Sequence, residues 1–425
     1  MTTPAGPVGT VGPAAPPAAR VGSPARTLAL AQLTNSLGDG AFYVCSALYF
    51  ARVVGLSPTQ IGFGLTLGWA VGAVAGVPLG HLADRRGPRG TAILLAVATA
   101  VAVSAFLVVR SFPLFVLAAC VYACCQCGLT AARQALLAGL VDPAQRTRVR
   151  AALQSTVNAG LAVGAALGGI ALYLDTPRAY LTVFAVDAVS FLLAALVLRR
   201  LPAVDAVPAG ASGEPRLAVL RDRPYALITL LNTVLLLYMP LFSLVIPLWI
   251  VQRTEAPRWL VSALLVVNTV SVVLFQVRVA RRVTDLRSAA RLIRWAGAVM
   301  LVSCAVFALS GDGRGKWTSA AILLVAAGLQ VVGEMMQASG AWEISFGLAP
   351  DGKQGQYQGF FGTGTAVARM LGPLLLTTLV IGWGAPGWLV LGGLFLGAAC
   401  AVGPAVRWAE RDRATPVPAN GVSIH

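Results

Sequence analysis

From Thr27 to Trp408 the chain alternates between long apolar runs and short polar breaks that collect arginine. A helix needs about 20 apolar residues to cross a bilayer. Twelve runs reach that length, at 27–52, 60–82, 90–110, 112–140, 150–173, 178–199, 223–251, 259–280, 289–310, 317–345, 356–382 and 385–408. The longest polar interruption, residues 200–222, divides them six and six. The pattern predicts an all-α membrane protein. Residues 1–26 are read as a disordered cytoplasmic N-terminus, being rich in Pro, Ala and Gly. Residues 27–199 and 223–408 are read as two sets of six helices, 200–222 as a cytoplasmic linker and 409–425 as a cytoplasmic tail. The first 26 residues lack the pattern of a cleaved secretory signal, so the first run is expected to remain as a helix.

Several runs carry a stripe of polar residues at helical spacing. In span 1, which contains "NSLGDGAFY", Asn35, Asp39, Tyr43 and Ser46 share one face. So do Gln126, Thr130 and Arg133 in span 4, Gln330, Glu334 and Gln337 in span 10, and Gln358, Thr365 and Arg369 in span 11. An ionised side chain in hydrocarbon costs at least a few kcal/mol and marks a pathway or a relay. Helix rise places Glu334 about 16 Å and Arg369 about 20 Å from the cytoplasmic ends of their helices, which predicts an ion pair. Asp39 lies about 18 Å deep and Arg133 about 9 Å, a gap that the long Arg side chain partly closes.

Composition agrees with a membrane protein. Hydrophobic residues make up 57% of the 425 and charged residues only 11%, against about 25% charged in a soluble domain. The excess of 32 basic over 16 acidic residues does not point to nucleic acid, because the arginines sit in short loops between apolar runs. With the N-terminus placed in the cytoplasm, that side carries 23 basic residues and the other 7, while Arg133 and Arg369 lie inside spans. This positive-inside bias puts both termini in the cytoplasm. Four of the seven cysteines cluster in "CVYACCQCG". The only histidines are His81 and His425, and no second paired-cysteine motif exists. The cluster is therefore read as small apolar residues at a helix contact, with no metal.

The loop between spans 2 and 3 reads "GHLADRRGPRG". Gly80, Asp84, Arg85, Gly87 and Arg89, with Leu82 and Ala83, make it resemble the loop signature of the major facilitator superfamily. Gly80 allows close helix approach, Asp84 suits the positive end of a neighbouring helix or an Arg, and Gly87 permits a tight turn. The equivalent loop of the second half keeps Arg281 and Arg282 but has Val283 for the glycine, as in a diverged repeat. The resemblance implies two bundles related by pseudo-twofold symmetry around a cavity opened alternately to each side. Spans 1, 4, 7 and 10 would line it; spans 3, 6, 9 and 12 would lie outermost. Span 5 carries Gly160, Gly164, Gly168 and Gly169, which resembles an exporter signature of the superfamily, although Ala165 replaces its Pro. Generic helix packing uses the same spacing.

Asp39 and Glu334 are thus candidates for proton coupling. Asn35, Tyr43, Gln126, Arg133, Asn232, Gln330, Gln337 and Arg369 are candidates for the substrate cavity. Phe42, Tyr238, Met239, Phe275, Met335, Met336, Phe360 and Phe361 are soft or aromatic residues near these stripes. Asp187, in outer span 6, is read as structural, with Asn158 or Gln154 as its partner, and Glu343 as reaching the interface. The combined reading is a proton-coupled exporter of small, largely apolar compounds, functional as a monomer in the cell membrane and powered by the proton gradient without a cofactor. A proton-coupled nutrient importer is the alternative. No metal motif, paired Asp-rich motif or nucleophile elbow supports an enzyme.

Overall fold

The computed structural model describes residues 23–204, 206, 217–311 and 313–414. Among them every regular element is a helix. The first six spans are α1 (Ser23–Arg52), α2 (Pro58–Arg86), α3 (Pro88–Phe106), α4 (Phe112–Leu140), α5 (Pro143–Leu174) and α6 (Pro177–Leu198). The seventh run is α7 (Arg223–Leu235) continued, after a break, by α8 (Ile246–Arg253). Then follow α9 (Leu260–Ala280), α10 (Leu286–Ala308), α11 (Lys316–Gly347), α12 (Gln354–Leu376) and α13 (Ala385–Ala414). Eleven spans among the described residues are long and apolar enough to cross a membrane. The remaining helix, α1, has the length at 30 residues, but its polar stripe lowers its hydropathy.

Several boundaries differ from the sequence reading. Residues 23–26 are helical rather than disordered, and α13 runs past 409 to Ala414. Residues 1–22, most of the expected linker, and the tail from 415 lie outside the described residues. α2 continues to Arg86 and α5 begins at Pro143, so Asp84, Arg85 and Arg150 belong to helices, not loops. Capping explains these ends. Ser57 and Gln60 form a capping box ahead of α2, with Pro58 next. Asp285 and Ser288 cap α10 in the same way, and Asp222 accepts the Tyr225 amide at the start of α7. Gly87, at φ +91°, turns the chain between α2 and α3, and Pro88 opens the next helix.

The apolar side chains form two cores. One contains residues from Leu28 to Leu201 together with Phe346. The other contains residues from Val219 to Ala409 together with Val77. In the first, Phe42, Tyr49, Phe50, Phe106, Phe115, Tyr122 and Phe184 form a continuous aromatic cluster, with neighbouring ring centroids as close as 4.6 Å. In the second, Phe307 stacks on Trp388 at 4.6 Å and Trp249 meets the same ring edge-on. Such pairs contribute about 0.5–1.5 kcal/mol each beyond burial.

Lipid offers no hydrophobic drive between helices, so close packing has to supply it. α2 shows how. Gly64, Gly68 and Gly72 lie against Phe115, Ala119 and Ala123 of α4, and a Cβ at any of them would collide there. Four residues turn a helix by about 40° beyond a full turn. The same four-residue spacing therefore winds onward, and Gly76 and Gly80 face Gly359 and Gly355 of α12 in the other half. α5 repeats the device against α1: Gly160, Gly164 and Gly168 touch Ser36, Leu37 and Ala41. Gly169 has nothing within 4 Å. It is not a packing glycine, because one residue rotates a side chain about 100° away from the contact.

Two stretches depart from α geometry. After α7 the chain passes through a 3₁₀ turn, Leu236–Tyr238, then Pro240, then a π-helical segment, Leu241–Val245. A second π segment, Thr377–Gly382, ends α12, where the Thr377 hydroxyl donates to the Pro373 carbonyl at 2.7 Å. Both sit beyond a proline that removes a helix donor.

Two expectations follow. Gly164→Ile forces a branched side chain onto the Leu37 backbone and should destabilise the folded protein by about 1–3 kcal/mol. Gly169→Ile should stay within about 0.5 kcal/mol. Thermal unfolding in one detergent compares the two. At the loop ends, Asp175 ion-pairs with Arg52 and accepts the Tyr180 hydroxyl. The Tyr180 hydrogen bond, then Arg52, holds its carboxyl below the usual range. Its contribution is therefore present above the ordinary carboxylate range and lost as pH falls through the lowered value. Asp175→Asn should flatten that acid limb of the stability profile, measured as midpoint temperature against pH.

Candidate functional site

A cavity of about 620 Å³ lies between the two halves. α1, α4, α7 and α11 line it, together with α2, α5, α9 and α12. Asn35, Asp39, Tyr43, Gln126, Arg133, Asn232, Glu334, Gln337 and Arg369 all reach its wall. Gln330 does not. It is fully buried behind the wall and donates to Glu334 at 3.4 Å. Of the soft and aromatic candidates, Tyr238, Met239, Met335 and Phe361 line the cavity. Phe42 belongs to the aromatic core, and Phe275 is exposed on the outer surface.

On the first-half side the charges form a connected network. Asn35 donates to Asp39 at 2.5 Å, and Arg133 donates to Asn35 at 3.1 Å. Gln126 reaches Asp39 at 3.5 Å and the Tyr122 hydroxyl at 3.0 Å. Arg133 thus reaches Asp39 through the Asn35 amide and, ahead of Arg369, acts on its charge through space. Arg369 lies over the Trp69 ring at 5.4 Å and also acts electrostatically on Asp39.

The expected Glu334–Arg369 pair is not formed. Glu334 accepts from Asn268 at 3.1 Å and from Gln330, both neutral. α12 instead turns Arg369 toward Trp69 of α2, in the first half. Deeper on that wall Gln337 donates to Asn232 at 2.7 Å.

Asp187 also departs from expectation. It is fully buried, and Gly38 of α1 packs directly on it. Its hydrogen-bond partner is Ser190; one carboxyl oxygen has none. Gln154 and Asn158, its expected partners, bond to each other at 3.1 Å on the cavity wall.

On the arginine-rich side several contacts join the halves. Asp84 accepts the Gly355 and Gln356 amides at 2.6 and 2.9 Å, capping α12 across the interface in place of an Arg pair. Arg89 of the same motif donates to the Arg199 carbonyl at the end of α6, and Arg85 is exposed. Thr147 of α5 donates to Glu343 of α11 at 2.5 Å, which links the halves while Glu343 stays half-buried. Arg150 stacks on Trp342 at 5.5 Å, and Ser155 donates to the Val272 carbonyl.

Sequence reading missed the α5 wall. Arg150, Gln154 and Asn158 recur every four residues and all line the cavity. The signal was present, but Arg150 had been counted with the loop charges. Among the described residues no cluster of three potential metal ligands occurs.

The sequence profile described as Major Facilitator Superfamily matches residues 28–373. An Escherichia coli (strain K12) protein described as an uncharacterized MFS-type transporter, YdeE, is 22% identical over 358 residues, covering 83% of this chain and 88% of that protein. A bacterial homologue of the iron transporter ferroportin, in an outward-facing state, superposes with a TM-score of 0.71 at 17% identity, over 91% of this chain and 99% of that one. The human organic anion transporter MFSD10 (TETRAN) does so with a TM-score of 0.66 at 16% identity, over 91% and 100%.

The site geometry makes the two charge pairs separable. Glu334→Gln and Arg369→Gln should lose stability additively, within about 0.3–0.5 kcal/mol. Asp39→Asn and Arg133→Gln share Asn35 and should show a coupling of about 0.5–3 kcal/mol. Unfolding measured over both double-mutant cycles checks this.

Proposed function

Because the chain belongs to the major facilitator superfamily, we propose that it is a proton-coupled exporter of small organic compounds working by alternating access. Proteins of this family are transporters, not enzymes, and require no cofactor. In this reading the twelve spans form two pseudo-symmetric six-helix bundles, joined by the 200–222 linker, in a monomer of the plasma membrane with both termini cytoplasmic. The two apolar cores support the bundles, and the arginine bias supports the orientation. The arginine-rich side is then cytoplasmic, and the contacts that join the halves lie there.

Glu334 carries the proposal. It is a buried carboxylate on the cavity wall whose hydrogen-bond partners are neutral amides, with Tyr238 also close. A charge in that setting is relieved by a proton or by a cationic group of the substrate, and the two exclude each other. That exclusion is the logic of exchange. Asp39, beside Arg133, Arg369, Asn35 and Gln126, is the second proposed proton site. Its protonation weakens the charge-assisted bond that orients Asn35 and, through it, Arg133, so occupancy and wall geometry become linked. Direction rests on the α5 glycine face against α1, with Gly160, Gly164 and Gly168 in contact. The expectation of a largely apolar substrate is narrowed. Eleven Asn and Gln side chains line the cavity, which favours compounds that also carry hydrogen-bonding groups.

Everted vesicles with an imposed proton gradient test the reading. Substrate should accumulate inside when the interior is acidic; loss of substrate under that gradient would reverse the direction. Asp39→Asn and Glu334→Gln should each abolish gradient-driven transport while leaving folded protein in the membrane. Full proton-driven transport in either variant would remove that residue from the coupling. Asp84→Ala should slow turnover about tenfold or more, since two charge-assisted hydrogen bonds are lost, with an unchanged substrate profile. A changed profile at unchanged turnover would place Asp84 in recognition instead.

A further inference from the structure

The cavity holds two opposite charges that the protein leaves unmatched, and they stand apart. Arg150, on α5, lines the floor with its guanidinium stacked on Trp342. No acceptor among the described residues hydrogen-bonds to it, and the charged group that acts on it is another cation, Arg133. Arg133 itself makes one hydrogen bond, to Asn35, and its buried Nε has no partner. Two guanidinium groups close together, with most of their donors unused, form a site for an oxyanion. Glu334, on α11, is the converse, an anion with neutral partners only.

Trp342 follows Glu334 by eight residues on the same helix, a rise of about 12 Å. The Arg150 guanidinium stands on Trp342, so the two charges lie on the order of 10 Å apart. Asp39 acts on Arg133 and Arg369 but on neither Arg150 nor Glu334, so Arg150 carries most of the unmatched positive charge.

We propose that the transported molecule is a zwitterion, with an acidic group on Arg150 and Arg133 and an ammonium group on Glu334, spanning the two halves. This rests on the reading of the cavity as the substrate site of a proton exchanger, and it names the substrate class. The division of labour fits exchange. The anionic end binds groups that keep their charge, while the cationic end competes with the proton at Glu334. Arg150, half-buried and with a cation as its charged neighbour, gains from an anion, so the acidic end takes the larger share of recognition.

The test needs no gradient and so fails independently of proton coupling. Isothermal titration of the purified protein uses ω-aminohexanoate, hexanoate and hexylamine as probes at neutral pH. The zwitterion should bind about tenfold or more tighter than either singly charged probe, one charge-assisted contact being the difference. Arg150→Gln should weaken ω-aminohexanoate and hexanoate but leave hexylamine unchanged. Glu334→Gln should weaken ω-aminohexanoate and hexylamine but leave hexanoate unchanged. Arg150→Lys should recover part of the loss for the two acids. Equal affinities of the three probes for the native protein, or no detectable binding of any, overturns the proposal, and this comparison does not depend on any variant folding. Hexanoate binding that survives Arg150→Gln unchanged also overturns it.

Discussion

The carboxylate of Asp84 holds two backbone amides of α12 across the seam between the halves. A helix start leaves four amide donors unsatisfied and carries about half a positive charge. An acidic side chain from the opposite half answers both needs at once. The geometry exists because α2 and α12 touch through glycine, Gly80 on Gly355 and Gly76 on Gly359. With any larger residue there, the carboxylate would stand too far away to reach the amides. The floor of the cavity, the Thr147–Glu343 contact and the Arg150–Trp342 stack all lie on the side that this contact joins.

Above that floor, hydrocarbon imposes an arrangement of polarity that water would not. Backbone groups are satisfied within helices, and polar side chains must face protein or a hydrated space. Asn35, Asn158, Asn232 and Asn268 come from four different helices, yet all four line the same cavity. Amides suit this role because they donate and accept without carrying charge. They surround Asp39 and Glu334 with hydrogen bonds without adding a counter-charge of their own.

Much of this was legible in the sequence, and the failures share a cause. Polar stripes at helical spacing located Asp39, Gln126, Arg133, Glu334 and Arg369 because a lipid-facing helix has no other use for them. The loop motif marked Asp84 and Gly80, although the partner helix α12 could not be named from residues 270 positions away. Arg150 was hidden because α5 begins earlier than its apolar run, so a wall residue looked like a loop charge. Gly169 and the Glu334–Arg369 pair failed for a rotational reason. Depth along a helix follows from counting residues, but facing direction also depends on where the neighbour sits. The five-glycine stripe of α2 went unread apart from Gly80, and its drift from one neighbour to another follows from 3.6 residues per turn.

The two π-helical segments divide mechanical labour between the halves. Both belong to the second half, at Leu241–Val245 and Thr377–Gly382, and they touch each other. A π turn carries an extra residue in the helical ladder and is one of the few places where a helix kinks. The first half has no counterpart among its described residues, and its aromatic cluster ties its helices together instead. The departures from straight α geometry are thus gathered in one half, at two segments in mutual contact, and the two halves are mechanically unlike.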